Sequence, residues 1–212
     1  MTREGDSFGA DRTPPTRRGA QVRDRIIDAA ADLVFARGAA RTNLDDVRAA
    51  TATSKSQLYH YFRDKDDLIR AVITRQTERV LDAQRPDLDA LDSFAALTRW
   101  RNRIVELQRE RHCAGGCPIG SLASELSDVD DTARTDLAGS FAHWHSYLES
   151  GLTAMRRRGT LRADANPKDL ATAVMTALQG GLLLAQNSRS TRPLEIALDM
   201  ALRHVRAYRS GS

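Results

Sequence analysis

Residues 53–62, with the sequence TSKSQLYHYF, constrain the fold of this chain more than any other stretch. Thr53 and Ser54 carry hydroxyls that can cap free backbone N–H groups at the start of a helix. The residues that follow are polar and can reach outward from the first turn: Lys55, Ser56 and Gln57. Apolar residues then recur at i, i+3 and i+4 and can bury one side of the helix: Leu58, Tyr61 and Phe62. This form, with a buried back and a polar N-terminal end, is typical of a helix that enters the DNA major groove.

A second short helix is predicted just before this segment, over residues 43–50. Thr42 or Asn43 can serve as its N-cap, and acidic residues occupy its first turn, where they favour the positive end of the helix dipole. The connection to the next helix is only a few residues long, as a helix-turn-helix requires. Ala52 occupies the turn position that usually carries Gly, so we expect a left-handed residue with mild strain or a slightly different turn.

The combined pattern resembles the signature of the TetR family of transcriptional repressors. The matching positions are Ser54, Lys55, Leu58, Tyr59, Tyr61, Phe62, Lys65 and Leu68. With the helix that ends before Gly38, the resemblance covers roughly the first third of the chain. It implies a DNA-binding domain followed by a larger helical domain. The same residues would also suit the interior of another helical bundle, and Leu58 and Phe62 are core residues under either interpretation.

The distribution of charge supports a nucleic-acid partner. Residues 17–65 contain ten basic and six acidic side chains, a net charge of +4 that equals the formal charge of the whole chain. Phosphate binding needs such a local cationic field. A hydrophobic fraction of 41% with 28% charged residues indicates a globular protein. No membrane span and no signal peptide are recognised, so a cytoplasmic location is expected.

From this arrangement we assign two roles to the DNA-binding residues. Residues expected to face base edges are Lys55, Ser56 and Gln57. Glutamine can make paired hydrogen bonds to adenine. Residues expected mostly to contact phosphates and to set the register are Thr42, Ser54, Tyr59, His60 and Lys65.

The predicted fold is all-α, since apolar residues recur at helical spacing along the chain and no strand pattern is visible. We expect a flexible tail over residues 1–20, a three-helix helix-turn-helix domain over 21–66 and a ligand-binding and dimerisation domain over 67–212. Within the last segment, long helices are predicted over about 131–158, 167–187 and 193–208.

The last two helices are predicted to form a homodimer. They are rich in Ala, Leu, Met and Gly, and Gly180 and Gly181 together in mid-helix need a reason such as a close helix approach. Two helices from each subunit would form a four-helix bundle, and half-sites on DNA also demand a dimer. The alternative is a core internal to one chain.

The remaining helices are expected to surround an effector cavity. Its candidate residues are Trp100, Ile104, Leu107, Cys117, Phe141, Trp144, His145, Leu148, Met175 and Gln179. Most of the apolar members would also suit a plain core. Residues 116–122 and 178–182 are similar to an LmrA-like subgroup of the same family, which implies a planar or bulky hydrophobic effector.

The resulting hypothesis is a homodimeric repressor that binds a palindromic DNA operator and is released by a small hydrophobic effector, with no cofactor. An alternative is a thiol-based redox sensor that uses Cys113 and Cys117. These two cysteines lack the partners of a structural zinc site, so no metal is expected. An enzyme is not expected, since no nucleophile–base–acid grouping, phosphate loop or dinucleotide motif is present.

Overall fold

The computed structural model describes residues 17–211, which form nine α-helices and one short 3-10 helix. The helices of the N-terminal part are α1 (Arg17–Arg37), α2 (Leu44–Thr51), α3 (Lys55–Tyr61) and α4 (Lys65–Asp82). The 3-10 helix (Asp87–Ala90) leads to α5 (Phe94–Glu110), α6 (Pro118–Leu126), α7 (Asp131–Arg157), α8 (Pro167–Ser188) and α9 (Arg192–Arg206). The prediction of an all-helical fold is confirmed, and no helix within 17–211 has both the length and the apolar composition needed to cross a bilayer.

Helices α1 to α3 form a compact head. Asn43 is the N-cap of α2, and its side chain accepts a hydrogen bond from the amide of Asp46. Ala52, between α2 and α3, is left-handed, with φ 51° and ψ 33°. Its amide bonds the carbonyls at the end of α2, so the turn keeps the expected helix-turn-helix geometry even though Ala replaces Gly. The head core is formed by Ile26, Ile27, Ala30, Ala31, Val34, Val47, Leu58 and Phe62.

The observed boundaries of the head differ from the predicted ones. Helix α1 begins at Arg17, so residues 17–20 are helical and do not belong to the predicted flexible tail. The remainder of that predicted tail lies outside the described residues. The expected boundary after residue 66 falls in the first turn of α4, so a continuous helix connects the head to the C-terminal domain.

Helix α4 is fastened to α1 by a ladder of ion pairs. Arg75 contacts the carboxylates of Asp24 and Asp28 at 2.9 and 2.6 Å. Arg79 contacts Asp28 and Asp32, both at 2.7 Å. These partners are spaced four residues apart on each helix, so two turns of α4 face two turns of α1. Exposed pairs contribute little individually, but a shared network fixes the relative position of the two helices.

Helices α8 and α9 pack against each other closely because Gly181 carries no side chain. An added Cβ at this position would lie 2.9 Å from the Cα of Leu194 on α9. The close approach expected from the glycine pair therefore occurs within one chain at Gly181 and needs no second subunit. At Gly180 an added Cβ would meet nothing within 4 Å, since this residue lies on the exposed side of α8.

A buried amide connects three parts of the C-terminal domain. Gln84, just after α4, is 1% exposed, and its Oε1 accepts hydrogen bonds from the indole N–H groups of Trp100 (2.9 Å) and Trp144 (3.1 Å). Its Nε2 donates to the carbonyl of Val80 at 2.6 Å. Each buried indole N–H is thereby satisfied, which holds α5 and α7 against the end of α4.

Two glycines of α7 provide a matched test of this packing. At Gly151 an added Cβ would lie 2.2 Å from the backbone oxygen of Leu91, whereas at Gly139 it would meet nothing within 4 Å. We expect Gly151→Ala to lower the free energy of unfolding by about 1–3 kcal/mol through overpacking. Gly139→Ala should raise it by up to about 1 kcal/mol through helix propensity. Denaturant unfolding of both variants checks this, and equal effects would contradict the packing of α7 described above.

Candidate functional site: a polar helix tip and an internal cavity

The N-terminal end of α3 is a polar tip built by a reciprocal cap. The Ser54 hydroxyl accepts a hydrogen bond from the amide of Gln57 at 3.2 Å, and the Gln57 Oε1 accepts one from the amide of Ser54 at 3.1 Å. The Ser56 hydroxyl lies 3.1 Å from that of Ser54. A carbonyl oxygen has two lone pairs, so Gln57 can keep the cap and still accept a further hydrogen bond.

The opposite side of α3 is held by burial. Leu58 and Phe62 are each 1% exposed, and the guanidinium of Arg23 lies 5.5 Å from the centre of the Phe62 ring. Thr53, which precedes the tip, is also buried, and its hydroxyl donates to the Thr51 hydroxyl at 2.7 Å. One side of α3 is therefore buried in the head. The other side, here called the free front, is exposed to solvent.

Most of the predicted DNA-binding residues lie on that free front. The exposed ones are Ser54, Lys55, Ser56, Gln57, Tyr59 and His60. Thr42 is a correction: it is only 3% exposed, and its hydroxyl donates to the carbonyl of Gly38 at 2.8 Å, so its side chain caps α1 and does not reach the surface. Lys65 is half-buried, and its Nζ donates to the carbonyl of Ala40 at 3.3 Å.

An internal cavity of about 40 Å³ lies in the C-terminal domain, where α4, α5, α6, α7 and α8 converge. Its apolar wall is formed by Val80, Ala83, Ile104, Leu107, Gly116, Cys117, Pro118, Trp144 and Leu182. Its polar lining is formed by Gln84, Gln108 and Arg111. The lining is therefore mostly apolar with a few polar groups, which is the composition usual for a small-molecule site.

The ten residues predicted to surround one cavity do not come together. Four line the internal cavity: Ile104, Leu107, Cys117 and Trp144. Four others line an open groove of about 760 Å³ between α7 and α8: Phe141, His145, Met175 and Gln179. Trp100 and Leu148 are packed in the core and line neither space. The predicted set is thus divided between two spaces, which meet where the side chain of Gln179 contacts Cys117.

Trp100 and Trp144, both predicted to line the effector cavity, are joined by Gln84, whose oxygen accepts a hydrogen bond from each indole. His145 is engaged at both ring nitrogens: Nε2 lies 3.1 Å from the Thr172 hydroxyl and Nδ1 lies 3.4 Å from the Glu149 carboxylate. Both ring nitrogens are therefore occupied by contacts within the chain, on the rim of the open groove.

Three polar residues that line the cavity were not predicted from the sequence as ligand-binding residues. Gln84, Gln108 and Arg111 each lie near charged residues in the sequence, so nothing local distinguishes them from surface residues. The spacing of Ile104, Leu107, Gln108 and Arg111 does place them on one face of α5. That spacing is the feature from which the polar part of the lining could have been found.

The geometry of the two cysteines does not favour a redox sensor. Both thiols are buried. Burial raises the pKa of the Cys117 thiol above its usual value, against the smaller lowering effects of its hydrogen bonds and of Arg111. The Cys117 Sγ accepts a hydrogen bond from the amide of Gly120 at 3.3 Å, so this residue caps α6. A reactive thiol needs an exposed position and a lowered pKa.

Helix α6 connects the cavity to the head. Its first residues line the cavity, and Glu125 in its last turn accepts hydrogen bonds from the amides of Ala39 (2.8 Å) and Ala40 (2.5 Å). These amides belong to the turn between α1 and α2. A carboxylate that accepts two backbone N–H groups forms a strong, directional contact, so α6 is fastened to the turn that precedes α2.

The two halves of the chain match two families. Residues 26–72 match the family described as bacterial regulatory proteins, tetR family. Residues 93–200 match the family described as transcriptional regulator LmrA/YxaF-like, C-terminal domain. The first match covers the end of α1, all of α2 and α3 and part of α4, and the second covers α5 to α9 almost completely.

Curated relatives span most of the chain. Transcriptional regulator AcuR of Cereibacter sphaeroides is 30% identical, over 80% of this chain and 78% of its own. The HTH-type transcriptional repressor DhaR of Mycobacterium sp. strain GP1 is 26% identical, over 82% and 87%. HTH-type transcriptional regulator LmrA of Bacillus subtilis is 24% identical, over 81% and 90%.

Solved structures share the fold. The regulatory protein TetR from Rhodobacter sphaeroides superposes with a TM-score of 0.73 at 26% identity, covering 86% of this chain and 98% of that one. A TetR transcriptional regulator from Chloroflexus aurantiacus superposes with a TM-score of 0.77, covering 90% and 96%. At 22% identity the second likeness concerns the fold alone.

Proposed function

The chain belongs to the TetR family of DNA-binding transcriptional regulators, and we propose that it is a homodimeric repressor released from its operator by a small effector. The family consists of regulators and not of enzymes, and the C-terminal domain is of the LmrA/YxaF-like kind. Two of the relatives, DhaR and ComR, are named as repressors. The proposed place of action is the cytoplasm, where bacterial DNA lies.

The observation that carries the proposal is the exposed polar tip of α3 with its apolar back in the head core. A tip of this size fits the major groove, where Lys55, Ser56 and Gln57 would meet base edges. The phosphate-contacting group becomes Ser54, Tyr59, His60 and Lys65, because the Thr42 side chain is buried. Lys65 would exchange its hydrogen bond to the Ala40 carbonyl for one to a phosphate.

The proposal of a homodimer is supported by apolar side chains on the outer faces of α8 and α9. Leu183 and Leu184 are 65% and 57% exposed, and Ile196 and Met200 are 49% and 57% exposed. Such residues on two adjacent helices suit a four-helix bundle with a second copy. Gly180, which has open space around it on the same side of α8, would let the partner helix approach.

Release would follow from two connections between the cavity and the head. Helix α4 carries Val80 at the cavity and Arg75 and Arg79 at α1, whereas α6 carries Pro118 at the cavity and Glu125 at the α1–α2 turn. An effector that wedges the cavity open would shift both helices and change the spacing of the two heads. Allosteric coupling of about 1–3 kcal/mol is typical, so the effector must distinguish the two arrangements by that amount.

The DNA-binding roles are tested by Gln57→Ala and Lys65→Ala. We expect Gln57→Ala to relax the preference for one operator base, at a cost of about 1–3 kcal/mol on the specific site. Lys65→Ala should weaken specific and random DNA alike and reduce the slope of log K against log salt by about one. Fluorescence anisotropy on operator and random duplexes at several salt concentrations measures both.

Helix capping must be separated from base contact, because Gln57 also bonds the Ser54 amide. Gln57→Glu preserves the cap acceptor but adds a negative charge that weakens all DNA binding. It is therefore compared with Gln57→Ala by thermal midpoint without DNA, which isolates the loss of the cap. Equal losses on operator and random DNA for Gln57→Ala would contradict the assignment of Gln57 to base contact.

The coupling role of α6 is tested by Glu125→Ala. Loss of the carboxylate frees the amides of Ala39 and Ala40 and removes one of the two connections. We expect operator affinity to change by less than about tenfold, while the effector-induced loss of affinity falls by about 1–2 kcal/mol. Operator titrations with and without effector provide the measurement. Asp128→Ala, an exposed carboxylate just beyond α6, is the control. An unchanged effector response in Glu125→Ala would exclude this path.

A further inference from the structure

The cavity contains a buried hydrogen-bond acceptor that lacks a partner. Gln108 is 6% exposed and lines the cavity from α5, and its Oε1 makes no hydrogen bond to any part of the chain described here. A buried acceptor left without a partner destabilises the ligand-free protein. The other amide, Gln84, is already bonded to two indoles and a backbone carbonyl. The acceptor that a bound molecule would meet is therefore the Gln108 oxygen.

The charge around the cavity determines which kind of donor can approach this oxygen. No carboxylate lines the internal cavity, and Arg111 stands on its edge, exposed to solvent and without a hydrogen-bond or ion-pair partner for its guanidinium among residues 17–211. A cationic donor such as an ammonium would be repelled by Arg111 and would find no counter-charge. A neutral donor, a hydroxyl or an amide N–H, satisfies Gln108 without that cost, and a negative group elsewhere on the same molecule would be attracted by Arg111.

The shape of the space allows both contacts to be made by one molecule. The internal cavity, at about 40 Å³, admits only a slim polar end. It shares Val80, Arg111 and Pro118 with a cleft of about 410 Å³ that reaches α1 at Asp32 and Phe35. Within that cleft Asp32 is paired with Arg79, which also contacts Asp28, so Arg111 is the lining guanidinium without an ion-pair partner among residues 17–211. The body and the anionic end of a ligand would lie there.

We infer that the effector is a small organic acid that places a neutral hydrogen-bond donor against the Gln108 oxygen and its anionic group beside Arg111. This rests on the proposed function, because it assigns chemistry to the same effector site. The predicted effector is thus no longer simply hydrophobic but amphipathic. Its hydrogen-bond donor lies in the internal cavity and its anionic group lies in the cleft. Because the cleft is lined by α1 as well as α4, the bound acid would touch the head directly through Phe35.

Matched ligands test the two polar contacts on the full-length wild-type protein. Isothermal titration calorimetry is carried out with 4-hydroxybenzoate, with 4-methoxybenzoate, which lacks the donor, and with 4-hydroxybenzamide, which lacks the charge. We expect 4-hydroxybenzoate to bind at least about tenfold more tightly than 4-methoxybenzoate, which leaves the buried Gln108 oxygen unpaired, and about threefold more tightly than 4-hydroxybenzamide, which loses the attraction of an exposed guanidinium. The related acids 3-hydroxybenzoate and 4-hydroxyphenylacetate complete the panel.

Variants assign each preference to a residue. Gln108→Met keeps the length of the side chain and removes the acceptor, so it should reduce the preference for the hydroxyl to less than about threefold. Arg111→Gln should likewise abolish the preference for the acid over the amide. Arg99→Gln, on an exposed part of α5 away from the cavity, is the control and should change neither. The thermal midpoint of ligand-free Gln108→Met should equal or exceed that of the wild type, which a purely structural role would not allow.

Three outcomes would overturn the inference: no binding by any of the three hydroxy acids, equal binding of the hydroxy and methoxy compounds, or unchanged preferences in both variants. If Gln108→Met fails to fold, the comparison of ligands on the wild type decides alone. Failure of the proposed function is seen separately, as absence of specific operator binding by the ligand-free protein.

Discussion

A seven-residue helix cannot hold its own shape in water, because nucleation costs more than so few hydrogen bonds return. Helix α3 is of this length, and it exists because Leu58 and Phe62 are buried in the head and because Ser54 and Gln57 cap its first turn. The same contacts leave Lys55 and Ser56 in solvent. The constraint that makes the helix stable therefore also makes its N-terminal end available to a duplex.

The head is not an independent unit, and this matters for regulation. Its first helix is bound to α4 by Arg75 and Arg79, and its central turn is bound to α6 by Glu125. Both helices also form the wall of the internal cavity. The cavity is therefore joined to the head at α1 and at the α1–α2 turn, which are the two connections on which the proposed release depends.

Much of the architecture could be predicted from the sequence, because the spacing of apolar residues indicates helices and capping residues mark their ends. Asn166 and Pro167 mark the start of α8, and Ala52 takes the left-handed turn position expected of it. The site was less predictable. Phe141 and Met175 have the same spacing as other core residues, and only the packing shows that they also line the open groove.

Buried amides were the main features that the sequence did not reveal. Nothing in the neighbourhood of Gln84 distinguishes it from a surface glutamine, yet it joins two tryptophans from helices far apart in the chain. Gln108 and Glu125 also look like surface residues in the sequence. Glu125 nevertheless bonds two amides that lie 85 and 86 residues away, and the Gln108 oxygen is buried. Their roles depend on the arrangement of three or more helices, which no local pattern encodes.

The central claim is that two copies of the α3 tip are presented at a spacing set by the C-terminal domain. Pulsed dipolar spectroscopy on a spin label at Ala50→Cys, an exposed position on α2, measures this directly in the native background, since Cys113 and Cys117 are buried. The account predicts a dipolar coupling between two labels and a single narrow distance population once operator DNA holds the tips about 34 Å apart. A sample without intersubunit coupling, or a broad distance distribution with operator DNA bound, would contradict it.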